Sequence, residues 1–319
     1  MAQQEAETLT ERRKAVWGLV VASMLWGLSF VWAKEAGEST NQALVLGEHA
    51  ILGPILVLTW RFGAAGLVCL VLFPSGRRGI TGASLRESGL LGVTLWLGMV
   101  PQMLGLDRTS EAVSAFLTSL AVVFVPLILW FVLRQPPSRA VVWPLAIAVA
   151  GMWLLTGAAP TGFGVGEALS LSCAVSFSVY IIVLDRRSDS KGTWAVAGGQ
   201  FIVVSALSGV LASAMCLYQG LPVLSVHACV FTTRAVWQPT VLLIALPTIC
   251  CFGLVIHLQP KIGPTQATLI YLFEPLFAAM FAFLLVGRRL SPITIAGGAL
   301  VLAANGAMDR IERGRAHGG

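Results

Sequence analysis

Charge is what this chain has least of. Of its 319 residues only 11% are Asp, Glu, Lys or Arg, and 56% are hydrophobic; an ordinary soluble domain carries roughly 25% charged residues. So few charges cannot cover a water-soluble globule of this size, and a mean hydropathy of +0.82 points to lipid as the solvent. Aspartate is scarce, with Asp107, Asp185, Asp189 and Asp309 all at the ends of apolar runs. There is no HExxH, no pair of aspartates within an apolar run and no serine–histidine constellation, which leaves intramembrane proteolysis without its residues. The six cysteines (Cys69, Cys173, Cys216, Cys229, Cys250, Cys251) lie singly or as one adjacent pair, without the CxxC spacing of a metal or redox site. They read as small apolar residues among helices. No cofactor and no metal are implied.

The net charge of +6 does not indicate a nucleic-acid partner, because most Lys and Arg fall in short gaps between apolar stretches. A bilayer core needs about 20 mostly apolar residues per helix. Candidate spans lie near 15–33, 53–73, 88–106, 112–133, 140–158, 163–184, 195–217, 239–259, 265–286 and 291–308, with the 34–53 segment free to lengthen the second span or form an interfacial piece. The first run follows Glu11-Arg12-Arg13-Lys14 and lacks a small-x-small cleavage site, so it reads as a retained span. With the N-terminus in the cytoplasm, fifteen Lys and Arg fall in inside segments, Arg77, Arg78, Arg186, Arg187 and Lys261 among them. Five fall outside: Lys34, Arg108, Arg234, Arg288 and Arg289. That bias predicts both chain ends inside; the Arg288-Arg289 pair runs against it.

The chain also contains a weak copy of itself. Leu25-Trp26-Gly27-Leu28-Ser29-Phe30 aligns with Ser176-Phe177-Ser178-Val179-Tyr180 at an offset of about 151, and Trp60-Arg61-Phe62 aligns with Gly199-Gln200-Phe201. The turn at Thr109-Ser110 falls on Gly263-Pro264 at an offset near 154. Two homologous halves of five spans each must enter the membrane with opposite polarity, as in many secondary transporters. The expected fold is an all-α membrane protein of ten transmembrane helices in two inverted five-helix repeats. The expected divisions are a cytoplasmic tail at 1–14, repeats at 15–158 and 163–308, and a cytoplasmic tail at 309–319.

These strings resemble the drug/metabolite transporter superfamily, in particular its EamA-type ten-span permeases. The likeness rests on Leu25 to Phe30, Trp60-Arg61-Phe62, Ala115 to Leu120 running into Val123-Phe124-Val125-Pro126, and above all Pro264 to Pro275. It covers about residues 15–309. It implies a non-enzymatic transporter of a small metabolite in the bacterial cytoplasmic membrane, with export the expected direction. Two features depart from it. Gly287 is followed by Arg288 where the family usually has Glu, and the first span has no acid between Val16 and Ala33, which disfavours the carboxylate route of the small multidrug exporters. A helical scaffold or lipid-binding protein is the alternative, and an intramembrane enzyme the remote one.

An ionisable group inside a span costs roughly 2.5–3.5 kcal/mol on insertion scales, so each needs a reason. Glu274 precedes Pro275, whose ring removes a backbone donor and disfavours helical geometry before it. Thr268, Tyr271 and Glu274 share one helical face. Glu274 is either a cavity-facing group coupled to a proton or cation, or a structural acid. Arg61 either holds a substrate anion or snorkels and pairs. His257 is a titratable candidate at a helix end; His49, His227 and His317 are too scattered to join it at a metal. Gln102, Gln200, Tyr180 and Trp26 are candidate cavity walls, and Pro126 and Pro275 candidate helix breaks. Ser172, Ser176 and Ser114 read as interhelical glue, and Thr118 and Thr94 as either glue or cavity lining. Small-residue ridges (Ala299, Ala303, Ala307; Ala146, Ala150) are expected to pack the halves or form a dimer seam. Whether the protein is a monomer or a homodimer stays open.

Overall fold

Apolar segments with no water to solvate their backbone must close their hydrogen bonds internally, and among the described residues every regular element is a helix. The computed structural model describes residues 2–47, 50–106, 108–109, 111–156, 163–186, 192–286 and 291–318. The first half comprises α1 (Ala2–Ala43), α2 (Leu52–Leu72), the short α3 (Pro74–Arg78), α4 (Gly82–Leu106), α5 (Glu111–Ser119), α6 (Ala121–Phe131) and α7 (Arg139–Thr156). The second comprises α8 (Val165–Asp185), α9 (Thr193–Tyr218), α10 (Val223–Thr232) and α11 (Arg234–Leu243). A π-helical segment, Ile244–Cys250, leads into α12 (Cys251–Leu258) and a 3₁₀ turn, Gln259–Lys261. Then come α13 (Pro264–Tyr271), α14 (Phe273–Val286) and α15 (Pro292–Gly318).

Eight helices among the described residues are long and apolar enough to cross a bilayer, ending with Arg234–Lys261. The last two expected spans are helical but not among the eight. Leu272 divides one into pieces of 8 and 14 residues, and the other, α15, has Asn305 within its apolar run and Asp309 closing it. The 34–53 segment neither lengthens the second span nor forms a separate piece; most of it continues α1. No proline interrupts Ala33–Ala43, and Thr40 Oγ1 donates to the Ala36 carbonyl at 2.7 Å. Asn41 then ties the turn to the next helix, donating to Ala50 O (2.8 Å) and accepting from Gly53 N–H (2.9 Å). That bond satisfies one of the free amide donors at the start of α2. Helix also runs through both segments expected as tails, from Ala2 and to Gly318. The short α10 was not expected.

The elements pack mainly across the two halves: α2 against α9, α4 against α8 and α9, α1 against α11, α12 and α14, α5 and α6 against α8, and α7 against α15. Close approach is made by glycine rather than by the alanine ridges. A Cβ on Gly27 would lie 2.7 Å from the Glu274 carbonyl oxygen, and one on Gly297 2.6 Å from the Gly151 carbonyl oxygen. The α7–α15 seam runs through Gly151, Met152 and Leu155 against Gly297, Val301 and Ala304. Ala299, Ala303, Ala146 and Ala150 are exposed on the outer faces, so the expectation that these ridges join the halves is corrected. Glycine permits backbone contact that alanine's Cβ forbids, and the helices turned accordingly.

Candidate functional site

A cavity of about 140 Å³ lies between the halves. Its wall takes Trp26 and Ser29 from α1, Arg61 from α2, Met99 and Gln102 from α4, Thr118 and Ser119 from α5, and Val122 from α6. From the second half come Phe177 and Tyr180 of α8, Phe252 of α12, Gln259, Thr268 and Tyr271 of α13, and Glu274 and Pro275 of α14. Most of the wall is apolar or aromatic, with a few polar groups set into it, which is the usual make-up of a small-molecule site.

Two helix interruptions meet at this wall. One falls at Leu120, between α5 and α6, and the other at Leu272, between α13 and α14; residues on both sides of each line the cavity. Pro275 sits in the first turn of α14, three residues after its break, where its missing N–H leaves the 271 carbonyl free. Pro126 is buried within α6, six residues beyond the other break, and does not line the cavity. A third irregularity, the π-helical segment, brings Pro247 and Thr248 to the same region. Pro247 O accepts from Trp26 Nε1 at 2.9 Å, and Thr248 Oγ1 accepts from Arg61 Nε at 2.6 Å while donating to Leu243 O at 2.7 Å. Such irregular turns free backbone carbonyls and are common at functional positions.

Arg61 is 5% exposed. Besides Thr248 it has the ring of Phe62, 5.1 Å from its guanidinium carbon. It forms no ion pair among the described residues, so the pairing alternative for its burial has no carboxylate to supply it. Glu274 lines the same cavity and likewise makes no hydrogen bond or ion pair among the described residues. A guanidinium and a carboxyl group thus line one low-dielectric chamber without bonding to each other.

The aromatic wall is tied together. Trp26 meets Phe252 and Tyr271 edge-on at centroid distances of 5.4 and 5.5 Å, and Phe252 also contacts Phe62, Phe201 and Tyr180. Gln259 is fully buried, donating to Ile181 O and accepting from Tyr271 Oη, both at 2.8 Å. It was missed in the sequence, where the only signal was an amide closing an apolar run just before Pro260. Thr248 and Phe252 were missed too; the signal there was Pro247-Thr248 interrupting a hydrophobic stretch.

Of the residues picked from the sequence, Glu274, Tyr271, Thr268, Arg61, Gln102, Tyr180, Trp26 and Pro275 meet at the cavity. Gln200 stands behind it, accepting from Tyr180 Oη at 3.2 Å, with its own Nε2 buried and unpaired. His257 is exposed and away from the wall. Ser172 and Ser176 bond carbonyls of their own helix rather than a neighbour. Ser114 does join a neighbour, accepting from Ser170 of α8 at 3.1 Å. Thr94 also bonds within its helix. His49 and the Gly287-Arg288-Arg289 departure lie outside the described residues.

A bundle of long apolar helices around an internal, sparsely polar cavity defines an integral membrane protein. Comparison with known proteins narrows this: residues 164–305 match the EamA-like transporter family, so the second half of the chain is similar to that family's domain. Over 308 residues the chain is 26% identical to an uncharacterized transporter of Archaeoglobus fulgidus, covering 95% of this chain and 88% of that protein. A solved crystal structure of a protein shares the fold at TM-score 0.66 and 19% identity, covering 94% of this chain and 98% of that one. At that identity the likeness concerns fold alone.

Proposed function

We propose that the protein is a secondary transporter that exports a small metabolite across the cytoplasmic membrane by alternating access between two inverted five-helix repeats. The observation that carries this reading is the cavity at the seam, lined from both halves, where the breaks at Leu120 and Leu272 meet. Their separation of about 152 residues falls within the offsets at which the sequence repeats. Discontinuous helices facing each other across such a seam are a recurrent way to build a transporter site.

The packing supports the inverted repeat. Counting α5–α6, α11–α12 and α13–α14 each as one interrupted span, contact of span 1 with spans 8 and 9 is mirrored by contact of span 6 with spans 3 and 4. Spans 2 and 7, and spans 5 and 10, pack on each other. The expected sidedness is self-consistent. Glu11 pairs with Lys261 at 2.9 Å, both in segments assigned to the inside, and Arg12 donates at 2.9 Å to Gln266 at the inner end of its span. Thr109 donates to Glu167, joining two segments assigned to the outside. In this reading Glu274 is the coupling group that takes up a proton or cation, and Arg61 holds the solute. Export is the direction that the family resemblance implies.

Purified protein in liposomes, tested for counterflow of labelled amino acids, sugars, nucleosides and carboxylates, tests the reading. Glu274→Gln and Arg61→Ala are each expected to lower flux at least tenfold with the protein still folded. Flux unchanged in both variants would remove this site from the mechanism.

A further inference from the structure

Arg61 has more donors than the fold uses. Its Nε is committed to Thr248, which is itself fixed to Leu243 O in the π-helical segment. The two terminal nitrogens make no hydrogen bond among the described residues, yet they are not sealed away from space. They reach the cavity that Arg61 lines. A guanidinium anchored at Nε and stacked on Phe62 presents its outer nitrogens as a fixed fork, a shape that matches a planar carboxylate with two parallel hydrogen bonds. The remaining wall supplies an apolar and aromatic box with Trp26, Phe177, Phe252 and Met99. Its volume of about 140 Å³ is close to that of an apolar protein cavity of about 150 Å³ that holds a benzene ring.

We infer that the cavity recognises a small organic carboxylate with an apolar body about the size of a benzene ring, the carboxylate lying on the outer nitrogens of Arg61. This rests on the transport reading for its purpose, but it is tested by binding alone. A carboxylate brought to Arg61 gives the guanidinium a counter-charge in direct contact, which it lacks among the described residues, whereas the neutral amide of the same shape has only one acceptor oxygen and places an amino group against a donor. The cavity therefore discriminates by charge and by hydrogen-bond polarity together.

Benzoate and benzamide are the probe pair. With protein purified in detergent at neutral pH, equilibrium dialysis of each labelled compound is expected to give at least tenfold tighter binding of benzoate, with a matching rise in unfolding temperature. In Arg61→Gln the ratio falls to near one. Thr248→Val keeps the charge but frees the Nε anchor, and an intermediate ratio is expected; this variant serves if Arg61→Gln does not fold. Equal binding of the two probes to the wild-type protein, or an undiminished preference in Arg61→Gln, overturns the assignment. If flux still depends on Glu274 in that case, the transport reading stands and only the carboxylate is lost. If no solute is moved while the benzoate preference follows Arg61, the site stands and the transport reading falls.

Discussion

Gln259 holds two buried bonds with one side chain, and its environment offers no replacement for either. Substitution by leucine leaves the Tyr271 hydroxyl without its acceptor and removes the side-chain tie to the Ile181 carbonyl of α8, at a cost of about 1–3 kcal/mol for the unsatisfied hydroxyl. Gln259→Leu is therefore expected to lower the unfolding temperature clearly. Gln259→Glu retains an acceptor for Tyr271 but loses the donor to Ile181, and places a new carboxylate at the wall. Its flux should fall further than its stability does, which a side-by-side melt and counterflow assay would read. Legibility at this scale followed polarity. Arg61, Glu274, Tyr271 and Trp26 stood out because a polar or ionisable group inside an apolar run demands an explanation, and they meet at one wall. Gln259 and Phe252 did not stand out. One closes a run where an amide is unremarkable, and the other is a phenylalanine among many, distinguished only by the four rings it touches.

At the scale of elements, the helices themselves were written in the alternation of apolar runs with basic gaps, and their irregularities were not. The break before Pro275 has a covalent cause. The one at Leu120 has no proline beside it, since Pro126 is six residues further on; the π-helical segment does hold one, Pro247, whose missing N–H leaves the Leu243 carbonyl to Thr248 Oγ1, but that Trp26 and Arg61 would bond there was not legible. The extension of α1 to Ala43 was likewise hidden, because Asn41 reveals its capping role only once the following helix is in place. Gly27 is the residue that lets α1 lie against the broken start of α14. A valine there would bring its Cβ within 2.7 Å of the Glu274 carbonyl oxygen and force the elements apart, an overpacking cost of roughly 1–3 kcal/mol. Gly27→Val should reduce both the unfolding temperature and the flux. Val at Gly306, where a Cβ meets nothing within 4 Å, should change neither; a fall of equal size there would show that the loss at Gly27 is not specific to that contact.

Across the whole molecule, each end of the cavity is fastened by its own bonds. On the proposed inner side Glu11, Lys14, Lys261, Arg12 and Gln266 join the start of α1 to the turn before α13. On the proposed outer side Glu167 and Thr109 join the start of α8 to the turn after α4. The two fastenings exchange places under the internal repeat. Surface ion pairs contribute little to stability, so Lys261→Ala should leave the unfolding temperature almost unchanged while making the cavity easier to reach from the cytoplasm. Thr109→Val should do so from the other face. The proposed parity of the halves and their offset rest on spacing, which duplication preserves longer than identity. The sequence did not hold which faces meet, since glycine contact rather than alanine ridges decided that.

The most direct measurement is the reach of the cavity from both sides of the bilayer. A Thr118→Cys variant places one thiol on the cavity wall, and sealed vesicles of each orientation are exposed to a membrane-impermeant thiol reagent. The alternating-access account predicts modification from either face, with flux lost in both cases. Modification from one face only while flux continues, or from neither, would contradict it.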